Sequence, residues 1–224
     1  MQRREILKAA GVLGLAPWTP GKGVGAPGPA SDHIKRARVV LEAARSFGRG
    51  GGYDKSWKST GCPKTLSHGG DVILSGSDKG TYCCGFTFAV AVESLERAGA
   101  LDSKSAVELK AFQKVWFGAT SDSEEQEKQC ALAVEQLGVG ASVPMDEAMA
   151  GDFAQLWRRG DKPSGHSILF LGWLEVGDER IGLSYLSSQS STGGIGYGVE
   201  YFSDAEAGAG RVDRDRIYFA RLRV

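Results

Sequence analysis

Residues 82–92 read Tyr-Cys-Cys-Gly-Phe-Thr-Phe-Ala-Val-Ala-Val. The segment 84–98 reads as a helix whose first half, Phe86 to Val92, is nearly all apolar and therefore expected to be buried. Cys83 and Cys84 then stand where a loop turns into that helix. The unpaired N–H groups and the positive dipole end of a helix start favour thiolate over thiol. The same N–H groups can receive a developing oxyanion, and Gly85 permits close approach of other backbone or substrate. Taken alone, the dipeptide also fits two small buried cysteines or half of a disulfide.

Working outward, Ser31-Asp32 is a plausible helix start, with Ile34, Ala37, Leu41 and Ala44 on one face and Gly48 at the end. The segment from Arg49 to Tyr82 has little periodicity, and loops of that length are usually functional in compact domains. After the buried helix, 103–117 reads as another, and Ser123 with Gln126 forms a capping box for a third that ends at Gly138. The period then changes. Segments 153–157, 167–174, 180–186, 195–202 and 216–222 are short, rich in β-branched or aromatic residues and separated by glycine or charged turns. Helices first and strands second predict an α+β fold, with N-terminal helices packed on an antiparallel sheet of about five strands.

His166 opens the apolar strand beginning at Ser167, and a histidine at a strand mouth can reach an adjacent helix terminus. Its ordinary pKa near 6.5 suits it to take a thiol proton and return it to a leaving amine. His33, in the first helix, and His68, in a glycine-rich loop, fit solvated positions better. A third polar group should hold the imidazole in one tautomer. Gln189 has the reach and an acceptor amide, while Ser187 shares its strand face two residues earlier. Cys83, His166 and Gln189 are therefore the candidate catalytic set, with Tyr53, Tyr82, Cys84 and Ser187 expected around the substrate. No Cys-x-x-Cys or His-x-x-x-His spacing suggests zinc, and no cofactor is expected.

The chain has zero formal net charge, and removal of residues 1–30 leaves −3, which does not suit a nucleic-acid phosphate backbone. Its 32 glycines are about twice the usual share. Arg3-Arg4 before the apolar run Ala9–Ala16, followed by small residues to Ala30, has the layout of a secretory signal of twin-arginine type. Eight apolar residues are too few to span a bilayer. Residues 1–30 are thus expected to be an export signal and 31–224 one domain with a helical insertion around 103–138, destined for the periplasm or the exterior. In an exported chain, the four cysteines allow three full pairings, including Cys83 or Cys84 with Cys62 or Cys130.

The order of these features resembles the NlpC/P60 cysteine peptidases. The resemblance rests on Ala43–Tyr53, Tyr-Cys-Cys-Gly-Phe-Thr, Ala150-Gly151-Asp152-Phe153, Gly165-His166-Ser167-Ile168 and the polar run ending in Gly193-Gly194-Ile195-Gly196, spanning roughly residues 36–202. The family's usual Asp-Cys-Ser-Gly places its nucleophile two residues before the glycine, which lands on Cys83 and puts Cys84 at the serine position. The resemblance implies a papain-like core and cleavage of amide bonds in cell-wall peptides such as those of peptidoglycan. An acyltransferase using the same Cys–His pair is the second enzymatic possibility, and a disulfide-stabilised wall-binding domain the non-enzymatic one. Tyr82 departs from the family's aspartate, and the 82 residues between Cys83 and His166 include two additional helices.

Overall fold

The computed structural model describes residues 29–160, 164–205 and 210–224. Apart from Pro29 and Ala30, the expected export signal lies outside the described residues. The first helix, α1 (Pro29–Arg45), starts two residues before Ser31, as proline's fixed φ allows in a first turn. Its packed residues are Ala37, Val40, Ala43 and Ala44, whereas Ile34, expected on that face, is exposed.

Among the described residues four further helices follow. α2 (Cys83–Arg97) is the buried one, with its first half enclosed from Phe86 to Val92. α3 (Ala106–Trp116) starts at a capping box between Ser105 and Glu108, inside the expected 103–117. The single helix expected over 123–138 is instead two, α4 (Ser123–Lys128) and α5 (Cys130–Leu137). Gln129, at φ 43°, breaks them, and Asp122 rather than Ser123 caps α4 by accepting from the N–H groups of Glu124 and Glu125.

The sheet has seven strands, not about five. β4 (Gly140–Val143), β5 (Phe153–Arg158), β6 (Ser164–Val176), β7 (Glu179–Gln189), β8 (Gly194–Tyr201) and β9 (Val212–Leu222) join the two-residue β1 (Gly50–Gly51). All pairs are antiparallel, in the order β1-β8-β7-β6-β5-β9-β4. The two strands missing from the expectation form the edges. One is a pair of glycines and the other only four residues long, too little for a period-2 pattern to emerge. The segment from Arg49 to Tyr82 also folds a small hairpin, β2 (Leu66–His68) with β3 (Asp71–Leu74).

Strand alternation divides the interior in two. On β6, Leu169 belongs to the cluster shared with α2, α3 and α5, whereas Ile168 and Phe170 join Leu156, Tyr185, Phe202 and Phe219 in a second cluster. Successive side chains point to opposite sheet faces, so the sheet carries a buried layer on each. No helix among the described residues is long and apolar enough to cross a membrane.

Candidate active site

Cys83 is the first residue of α2, after an extended Tyr82 (φ −140°, ψ 172°) that supplies no side-chain cap. The first intrahelical bond runs from Phe86 N–H to the Tyr82 carbonyl at 3.0 Å. Helix geometry thus leaves the N–H groups of Cys83, Cys84 and Gly85 without intrahelical acceptors. A Cβ on Gly85 would meet the Gly61 carbonyl at 2.3 Å, so only glycine lets the 49–82 segment lie this close to the helix start. That segment packs down rather than standing off. Tyr82 N–H donates to Gly61 O at 3.3 Å, and buried Asp54 accepts from the hydroxyls of Ser56 and Ser59, each at 2.5 Å.

A buried polar ladder fixes the helix start against the sheet. Thr81 and Ser188 share a hydroxyl hydrogen bond of 2.7 Å. Ser187 Oγ donates to the Ser167 carbonyl at 2.6 Å, and Ser167 Oγ donates to Gln155 Oε1 at 2.7 Å. All five side chains are buried, where a satisfied network specifies one arrangement and an unsatisfied one is costly.

This register brings His166 close enough to Cys83 for the imidazole to help lower the pKa of its thiol. Gln189 Nε2 donates to the Tyr197 carbonyl at 3.3 Å, which turns Oε1 toward His166 Nε2, also at 3.3 Å. An amide oxygen only accepts, so Nε2 is the donor in this contact. Tyr185 packs edge-on against His166, with ring centroids 5.4 Å apart.

The two sulfurs differ sharply. Cys83 is held well below the ordinary thiol range by a hydrogen bond from Cys84, which outweighs desolvation; His166 and the Ser167 N–H add to the effect. Cys84, half-buried, is pushed well up by the same bond and by burial. Cys62 and Cys130 are buried thiols raised by desolvation to about 11 and about 12. All four cysteines are free.

Of the residues expected around the substrate, Tyr53 lines the cleft next to His166, and burial raises its hydroxyl to about 12. Cys84 is not among the residues that line the cleft; it adjoins Cys83 in the chain and acts on its thiol. Tyr82 is buried, donating its hydroxyl to the Ser59 carbonyl at 2.9 Å and stacking under Trp57. Ser187 is fully buried within the ladder. Both are therefore braces behind the site. The sequence reading missed Arg158, Tyr185, Glu200 and Trp57, which line the cleft. A positive φ of 55° at Trp57 marks the kind of backbone outlier that clusters at functional sites. Nothing in the sequence around these four distinguishes them from ordinary strand and loop residues.

The cleft beside His166 measures about 500 Å³. His166 and Gln189 line it, with Cys83 buried behind; a hollow of about 580 Å³ between α1 and β4 is larger but has neither of the two in its lining, so chemistry favours the former. Among the described residues, no group of three His, Cys, Asp or Glu side chains could hold a metal ion. In comparisons with protein-family models, curated proteins and solved structures, no match to the chain was found.

Proposed function

We propose that this chain is a cysteine hydrolase of amide bonds, with an NlpC/P60-like, papain-like arrangement, that acts on cell-wall peptides after export. What supports the reading is Cys83 at the first turn of a buried helix, with His166 among the groups that lower its thiol and His166 Nε2 in turn 3.3 Å from Gln189 Oε1. In the reaction, the Cys83 thiolate attacks the amide carbon and the electron pair of the carbonyl moves to oxygen, where first-turn N–H groups receive it. His166 gives its proton to the nitrogen as the C–N bond breaks, leaving a thioester and a free amine. Water, deprotonated by the now neutral His166, then cleaves the thioester and restores the thiolate. Cell-wall peptides as substrate rest on the sequence resemblance and on the leader-like first 30 residues.

The test is amine release from purified peptidoglycan by wild type, Cys83→Ala and Cys84→Ala. Cys83→Ala is expected to lose activity by at least about 10³-fold, on the scale of removing a nucleophile, with Cys84→Ala retaining measurable turnover. Loss only in Cys84→Ala would assign the chemistry to the other sulfur. Repeating the assay with an added acceptor amine separates hydrolysis from acyl transfer.

A further inference from the structure

The hairpin of β2 and β3 sits at the opposite end of α2 from Cys83. Its turn is Gly69-Gly70, both at positive φ (59° and 89°), as a two-residue hairpin loop requires. Leu66 and Ile73 are buried, whereas Ser67 and Val72 are exposed. An isolated two-stranded hairpin is marginal in water, so this one depends on what ties it to the body. His68, expected at a solvated position, is instead held on both sides. Its Nδ1 meets Glu96 Oε1, in the last turn of α2, at 2.7 Å, and its Nε2 meets the Lys104 carbonyl, just before α3, at 2.9 Å. A carbonyl and an ionised carboxylate only accept. Both ring nitrogens must therefore donate, which the imidazolium alone does; a neutral ring has one N–H and keeps one of the two bonds. The ring is accordingly held above its ordinary value of 6.5, first by the Glu96 bond and next by the Lys104 carbonyl, against desolvation. Asp102, between α2 and α3, adds to the rise by its charge. Asp71 stands opposite His68 across the hairpin, Lys104 Nζ lies 3.9 Å from Glu108, and Glu93 is taken up by Lys64 and Arg97. The Lys64–Glu93 pair is a second tie from the same segment to α2, but neither of its groups changes charge near neutral pH. Of the two ties, only His68 responds to protons there.

We propose that His68 is a proton-operated latch: as an imidazolium it pins the 66–74 hairpin to the corner between α2 and α3, and on losing its proton it lets the hairpin open. The folded value lies above the unfolded one, so this contribution is complete below pH 6.5 and is lost as pH rises through the folded value. The Glu96 side chain is 40% exposed, so water screens the pair, and the charged bond is worth about 3- to 10-fold in the opening equilibrium. The latch is local. It requires no chemistry at Cys83 and acts whether or not the chain is a hydrolase.

Two measurements on the full chain test the latch. The His68 ring, followed by NMR through its Cε1–H resonance, is expected to titrate with a midpoint above 6.5. Glu96→Gln, which keeps the shape and removes the charge, is expected to bring that midpoint down. Hydrogen exchange at the amides of 66–74, divided by the intrinsic rate at each pH, reads the opening itself. It is expected to rise about 3- to 10-fold as pH passes through the His68 midpoint, with no matching step in β6. In His68→Gln the step is expected to vanish. A midpoint at or below 6.5, a hairpin whose opening ignores pH, a step shared equally by β6, or the same step surviving in His68→Gln overturns the latch. If His68→Gln does not fold, Glu96→Gln carries the test: the hairpin step must move down with the lowered midpoint, and a step that stays in place overturns the latch.

Discussion

Cys83 and Cys84 are neighbours on one helix turn, yet only the first meets an imidazole. The neighbouring Cys84 thiol is the largest influence holding Cys83 low, so removing it should raise the Cys83 pKa. The pH profile of Cys83 alkylation by iodoacetamide is therefore expected to rise at lower pH in wild type than in Cys84→Ala, with Cys84→Ser, which keeps a donor, falling between. Coincident profiles would mean that the neighbouring thiol has no part in activation. Cys83, His166 and Gln189 were legible in the sequence because each carries its signal locally: a thiol before a buried helix, an imidazole at a strand mouth, an amide after the next strand. Arg158 and Glu200 were not. A single charge on a strand reads as a solvated face, and only the sheet brings residues 158 and 200 together to pair at 2.7 Å. Tyr82 and Ser187 were placed at the substrate because sequence gives proximity to the nucleophile but not the direction of a side chain.

Among the elements, β5 depends on a clamp at its entrance. Asp152 is fully buried and receives Nε and Nη2 of Arg221 at 2.9 and 2.7 Å, with Arg36 of α1 at 3.6 Å. It also accepts the Met149 N–H at 2.8 Å. One carboxylate thus ties α1, β9 and the turn into β5 together. Asp152→Ala strands a guanidinium in the interior and is expected to cost about 3–5 kcal/mol, read as a lower urea midpoint. Asp152 also stands in the Ala-Gly-Asp-Phe segment that carries part of the sequence resemblance, so the sequence marked its position but not its ionic role. The break at Gln129 was hidden for a different reason. Glutamine is an ordinary helix former, and nothing local announces that residue 129 adopts a positive φ.

At the scale of the whole molecule, the α+β class and four of the five main strand segments were readable within a few residues of their observed bounds, because apolar periodicity survives in long strands. The edge strands were not, since they are defined by partners rather than by composition. The interior also sets an alkaline limit. Cys62 and Cys130 have folded-state values of about 11 and about 12, above the ordinary thiol value of 9.0. The native state therefore holds these protons more tightly than the unfolded chain does. Stability from this source is complete below pH 9 and declines as pH rises toward the folded values. Thermal midpoints are expected to fall between about pH 9 and 12, and less steeply in Cys62→Ala/Cys130→Ala at matched starting stability. A last consequence follows from where the two halves of the cysteine–histidine pair lie. Cys83 opens a helix, whereas His166 and the Ser167 N–H belong to a strand 83 positions later. Until that strand docks, the sulfur lacks both of these neighbours, so on the proposed reading the cysteine–histidine pair is assembled only when the tertiary structure is complete.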